Sequence, residues 1–244
     1  FLSWFQYGGG KELYDRLWDE MGVNVKGFML QPVGPEALGW FPKPITSMDD
    51  FRQMRFRAPP GMVGAAYADI GVPAVAMGGG DILPALEKGT IDVADYVGPA
   101  INHALGFGQV TDYISMGPPG FMSVYQPVDV MDLTVGMDAW NALTAQMKQF
   151  VDMEVKAYSI HHHAQIQKAD QEAWKKFEEE GTEVTRLSQD DVEALTEVAV
   201  ERWFAWANKD KDAAKIFKVQ LDYMMSGSLG YVTPEMIEGY TLDL

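Results

Sequence analysis

Residues 138 to 180 contain neither glycine nor proline. A stretch of that length without a helix breaker folds as one very long helix or as two abutting ones. The chain upstream has the opposite texture. Most of the 24 glycines lie before residue 140, where they punctuate short segments. The molecule therefore divides into a punctuated, strand-bearing first half and a helical second half.

In the first half, Leu13, Leu17 and Met21 recur at i, i+4 and i+8, which predicts an amphipathic helix over 11–21 stopped by Gly22. Residues 24–31 read as a strand, and a Gly/Pro-rich loop follows from Pro32 to Pro44. Met54 to Ala58 alternates as a strand, ended by Pro59-Pro60-Gly61. A short helix over 62–70, a strand over 73–77, a helix from the Gly78-Gly79-Gly80-Asp81 turn to Lys88 and a strand over 91–97 come next. Alternating strands and helices predict a small α/β lobe. In the second half, helices are expected over 190–208 and 211–225, and the 11 acidic against 3 basic residues of 170–201 read as a solvated helical face.

Composition excludes several functions. The formal net charge of -16 argues against a nucleic-acid partner or a polybasic membrane contact, both of which need a cationic surface. With no cysteine there are no disulfides, thiolate metal sites or Cys nucleophiles. No apolar run approaches the ~18–20 residues that span a bilayer. The opening Phe1-Leu2-Ser3-Trp4-Phe5 is apolar and lacks an initiator Met, as expected of a piece of a longer chain.

Four groups of residues are candidates for chemistry. His161, His162 and His163 are consecutive, so on a helix they point in three directions and share no metal; His103 stands alone, and both read as structural. The Gly78-Gly79-Gly80 turn lacks the spacing of a nucleotide loop; its glycines are expected to allow a close backbone approach, and Asp81 to cap the following helix. Arg57 ends a strand beside a helix N-terminus, where α/β lobes bind anions; it either grips a carboxylate or pairs with a surface acid. Asp92 and Asp95 sit in one apolar strand on opposite faces, so one can meet Arg57 or a cation while the other faces solvent.

The ordered series Met54-Arg55-Phe56-Arg57-Ala58-Pro59, then Pro73 through Asp92, then Ala94-Asp95-Tyr96-Val97-Gly98-Pro99, resembles the solute-binding proteins of TRAP transporters (tripartite ATP-independent periplasmic). The branch that binds 2-oxo acids, lactate and related organic acids fits best; Gly8-Gly9-Gly10-Lys11-Glu12-Leu13, Leu38-Gly39-Trp40-Phe41 and the long helix agree with it. The resemblance implies an α/β, bilobal periplasmic-binding-protein-like fold with long spanning C-terminal helices. Residues 33–124 would form lobe II, and residues 1–32 and 125–244 would form part of lobe I plus the spanning helices. Relatives carry roughly a hundred further residues ahead of this start, so the first lobe is expected to be incomplete.

The resemblance also implies a site. Arg57 would hold the ligand carboxylate, with Trp40 and Tyr96 as further ligand contacts. Asp95, the Tyr96 carbonyl and Glu36 would hold a cation bridging to the ligand. Relatives often have Gln where Glu36 stands, and two carboxylates favour Ca²⁺ over Na⁺. The implied function is that of a periplasmic subunit, not an enzyme, which hands a small 2-oxo or 2-hydroxy carboxylate to TRAP membrane subunits, as a monomer, homodimer or larger assembly. The competing expectation is a binding-protein scaffold reused as a structural subunit of a complex. A metal-dependent enzyme built on Glu36, Asp95 and the histidines is a third, for which no nucleophile–base spacing is present.

Overall fold

The computed structural model describes residues 1–119, 126–227 and 232–244. The first half runs α1 (Leu2–Tyr7), α2 (Gly10–Glu20), β1 (Val25–Val33), β2 (Gly39–Phe41), α3 (Met48–Phe51), β3 (Phe56–Arg57), α4 (Met62–Asp69), β4 (Ala74–Val75), α5 (Gly79–Glu87), β5 (Val93–Ala94), α6 (Pro99–Ala104) and β6 (Tyr113–Met116). The second half runs β7 (Asp129–Gly136), α7 (Met137–Ala142), α8 (Ala145–Glu179), β8 (Glu183–Arg186), α9 (Gln189–Ala207) and α10 (Lys211–Met225). Among the described residues no helix is long and apolar enough to cross a membrane.

The chain packs as two compact units, one of residues 1–32, 130–164 and 204–244, the other of residues 33–129 and 165–203. The boundary expected at 124/125 falls outside the described residues. In the first unit, β1 and β7 form a two-stranded sheet. An aromatic ladder holds α1 and α2 together: Phe5 meets Tyr14 edge-on at 5.7 Å, and Tyr14 meets Trp18 at 5.7 Å. Gly27 in β1 admits the Trp18 indole, since a Cβ there would lie 2.2 Å from Nε1. Ser159 of α8 donates to the Leu30 carbonyl at 2.8 Å.

The second unit is built on a six-stranded sheet in the order β4-β3-β5-β2-β6-β8. β3 runs parallel to β4 and β5, β6 runs parallel to β8, and β2 is antiparallel to both of its neighbours. Directly opposed residues share a face. On one face Phe41, Phe56 and Val93 pack with Phe51, Tyr67, Val192 and Leu195. On the other Trp40, Ala94 and Ile114 pack with Ile82, Ile91, Phe107 and Phe177. Both faces are covered over the central strands β3, β5, β2 and β6, which are buried on both sides rather than alternating. Each fully buried Phe contributes about 1.5–3 kcal/mol.

Two expectations need correction, at β2 and at Asp81. The Pro32–Pro44 loop contains β2, the strand that joins the two parallel halves of the sheet. Of the two forms expected for the breaker-free stretch, the structure has the two abutting helices. Leu143 is extended at ψ 143, and Thr144 Oγ1 accepts from the Met147 N–H at 3.2 Å, so a threonine cap restarts the helix with no glycine or proline. Asp81 is not the cap of α5; Gly78 is, and Asp81 sits in the first turn.

Candidate functional site in the second unit

The C-terminal ends of the parallel strands β3, β4 and β5 lie along one edge of the sheet, and the N-terminal end of the antiparallel β2 meets them there. The crevice outside the carboxyl ends of parallel strands is where open α/β sheets place ligands. The edge collects Arg57 from β3, Met77 and Gly79 after β4, Asp95 and Tyr96 after β5, and Glu36 ahead of β2.

Arg57 is 5% exposed. Its Nε donates to the Met77 carbonyl at 3.2 Å, and its Nη1 donates to the Asp95 carbonyl at 2.5 Å. The guanidinium carbon stands 5.0 Å from the centre of the Tyr96 ring, within cation–π range. Gly79 backs the other part of that ring, where a Cβ would fall 2.5 Å from Tyr96 Cζ. The close approach expected of the glycine turn is therefore an approach to a side chain.

Glu36 is 1% exposed and Asp95 3%. Glu36 Oε1 and Oε2 and Asp95 Oδ1 find no donor group on the chain, and these oxygens have only the other carboxyl of the pair. Burial, then the neighbouring Asp95 carboxyl, pushes Glu36 far up from its ordinary value, and Arg57 opposes the shift. Burial likewise raises Asp95, against the pull of Glu36 and Arg57. The Arg57 guanidinium is lowered by burial and supported by Asp95, Tyr96 and Glu36. Orphaned buried carboxyl oxygens are costly. The Glu36 loop is pinned all the same: its N–H donates to the Gln126 carbonyl at 3.0 Å, and Gln167 Nε2 donates to the Gly34 carbonyl at 3.0 Å.

Of the expected site residues, Arg57, Asp95, Tyr96 and Glu36 come together. Trp40 stands across β5 from Arg57, both in register with Ala94. Its ring packs on Phe107 at 5.8 Å and Phe177 at 5.7 Å, and its Nε1 has no hydrogen-bond partner. Asp92 takes the solvent side as a two-pronged partner of Arg55, at 2.9 and 2.7 Å. His161, His162 and His163 lie on α8, where His162 stacks on Tyr158 at 5.8 Å, and His103 pairs with Glu180 at 3.0 Å. Asn102, Gln167 and the Met77 carbonyl were not foreseen; a Pro99 opening a helix was the one sequence signal near Asn102.

The site can hold a hard cation. Ionised carboxyl oxygens without a donor group on the chain are what Ca²⁺ satisfies. Among the described residues no group of three or more His, Asp or Glu side chains gathers for a metal. A cation here would rest on two carboxylates, backbone carbonyl oxygen and the ligand itself.

The sheet edge thus joins one buried arginine to a pair of buried carboxyls. The chain belongs to the DctP family, bacterial extracellular solute-binding protein family 7, whose profile matches residues 3–210. A monocarboxylate 2-oxoacid-binding periplasmic protein of Nostoc sp. is 26% identical over 216 residues, 88% of this chain and 57% of that one. Two TRAP periplasmic solute-binding proteins of known structure each align with a TM-score of 0.81, over 91% of this chain and 65% of theirs. The one from Colwellia psychrerythraea, 26% identical, holds calcium and pyruvate. The one from Pseudoalteromonas atlantica, 25% identical, holds sodium and pyruvate. A TRAP solute-binding protein from Bordetella bronchiseptica, 26% identical with a TM-score of 0.79, is a dimer with calcium and picolinate in one site. The chain thus spans 57% of the curated relative and 65% of the solved chains.

Proposed function

We propose that the protein to which this chain belongs is the periplasmic solute-binding subunit of a TRAP-type transporter, taking a small 2-oxo or 2-hydroxy monocarboxylate. The buried Arg57 beside the buried Glu36 and Asp95 carboxyls, three of whose oxygens find no donor group on the chain, is the observation that carries this reading. A guanidinium at a dry sheet edge grips a ligand carboxylate by charge-assisted hydrogen bonds. With both carboxyls ionised and no cation between them, the site would repel an anion. Glu36, Asp95 and the Tyr96 carbonyl would therefore hold Ca²⁺ or Na⁺, which when bound turns the acidic side of the site into a partner for the ligand's oxygens. The relatives that hold calcium or sodium with pyruvate support the same pairing.

The Trp40 Nε1, the one polar atom of that ring, is a candidate ligand donor. In this reading the second unit is the core of lobe II, and the first unit belongs to lobe I and the spanning helices. The ligand passes to TRAP membrane subunits, and a homodimer fits the Bordetella relative. The relatives named above are all described as binding proteins, which favours this reading over that of a structural subunit. Thermal unfolding with pyruvate, Ca²⁺, Na⁺ and their combinations tests the reading. Ligand at a hundred times its Kd adds about 2.7 kcal/mol, and the largest rise is expected with pyruvate and Ca²⁺ together. No rise with any combination would refute it.

A further inference from the structure

The segment that follows β5 is clamped by α6 as well as by Arg57. Asn102 of α6 is fully buried, at 0% exposure. Its Oδ1 accepts from the Val97 N–H at 3.1 Å, and its Nδ2 donates to the Val97 carbonyl at 2.7 Å. One side chain therefore fixes both peptide groups that flank Val97. The Tyr96–Val97 bond is not among the cis peptides. In a trans peptide the N–H and the C=O of the same plane point opposite ways. With the Val97 N–H turned towards Asn102, the Tyr96 carbonyl is turned away from it. Arg57 fixes the preceding plane through the Asp95 carbonyl. Asp170 of α8 secures α6 in turn, its Oδ1 accepting from the Ala100 N–H at 2.9 Å. Two successive peptide planes are thus each set by a side chain, and neither is left to the ligand to orient.

We propose that Asn102 is a positioning residue for the cation side of the site, aiming the Tyr96 carbonyl by holding the Val97 peptides; this rests on the cation-and-carboxylate reading above. A preset carbonyl removes the need to reorder the backbone when the cation binds, which favours affinity. Asn102 touches neither ligand nor cation, so its effect should fall on what the cation adds and not on what Arg57 adds.

Calorimetry separates the two. Pyruvate affinity is measured in Ca²⁺ and in EDTA for the wild type, Asn102→Ala and Leu105→Ala, the last a control that loosens α6 without touching Val97. Asn102→Ala should shrink the calcium gain in affinity by about tenfold or more and leave the EDTA affinity within about threefold, with Leu105→Ala keeping the gain. Equal losses in Ca²⁺ and EDTA would make Asn102 a structural clamp only and overturn the proposal. Asn102→Asp keeps an acceptor for the Val97 N–H, and serves if the alanine variant does not fold. It should keep the gain together with slow hydrogen exchange at the Val97 amide. A lost gain with that amide still slow would overturn the proposal. Wild-type protein that gains nothing from Ca²⁺ would sink the cation reading and this inference with it; a wild-type gain untouched in Asn102→Ala sinks this inference alone.

Discussion

At the scale of single residues, Arg57 is committed before any ligand arrives. Its planar fork already spans the carbonyls of Met77 and Asp95, so its position is set by backbone rather than by solvent. Arg57→Ala should cost roughly 2–5 kcal/mol of pyruvate affinity. Arg57→Lys should fail as well, because an ammonium cannot satisfy two carbonyls and a carboxylate with a flat fork. Calorimetry on folded variants reads both, and wild-type affinity in Arg57→Ala would move the site elsewhere. The carboxyl pair gives a pH prediction. Burial raises Asp95, and burial with the neighbouring Asp95 carboxyl raises Glu36 well above the usual carboxylate range. The folded protein then keeps protons that the unfolded chain sheds near pH 4. The stability from these protonated acids is full below that pH and is lost as pH rises through the folded values. Without cation, the wild-type Tm should fall between about pH 5 and about pH 8 more steeply than that of Glu36→Gln. His162, lowered by burial and by His163, works with the opposite sign but equally in both proteins. Parallel Tm curves for the two would show that Glu36 does not hold its proton.

At the scale of elements, α5 begins against the Tyr96 ring. A methyl group at Gly79 would sit 2.5 Å from Cζ, so Gly79→Ala must displace the ring from Arg57. The expected result is weaker pyruvate binding by about tenfold or more with the helix retained, read by calorimetry and circular dichroism. The α8 histidines should be dispensable, since neighbours on a helix stand about 100° apart and cannot share one ion. Replacing His161, His162 and His163 with Gln should keep pyruvate affinity within about threefold, and a tenfold loss would place chemistry on α8. Helices α2, α4, α5, α9 and α10 were legible because apolar spacing and glycine stops act locally. Strand β2 was not. Its three residues are all buried and so show no alternation, and what makes them a strand is pairing with Ala94 and with Tyr113–Ser115, far along the chain. The Thr144 restart was written in the sequence, yet only geometry distinguishes a capping threonine from a helical one. Arg57 and Asp95 were candidates from their places in strands, whereas Tyr96 and Glu36 were reached only through an ordered resemblance. Asn102 escaped notice because a buried amide that bonds to backbone leaves no pattern in sequence.

At the scale of the molecule, every side chain of the proposed site lies in the second unit. Adding pyruvate and Ca²⁺ should slow hydrogen exchange most around residues 36, 57, 77–79 and 95–102. Protection confined to the first unit would contradict the placement. The strand order of the second unit also has a consequence for biosynthesis. Strands β2 to β6 are complete by Met116, but β8, which covers the β6 edge, arrives only at Glu183–Arg186, and Phe177, which closes over Trp40, comes just before it. A chain emerging from its N-terminus thus carries an open strand edge and a bare indole through some seventy residues of further synthesis, a long wait before non-local contacts repay the loop between them. A product cut short before Glu183 keeps that edge permanently, and an unpaired edge is what aggregation acts on first. The sheet order therefore doubles as a check on chain completeness, with shortened translation products left visible to proteases.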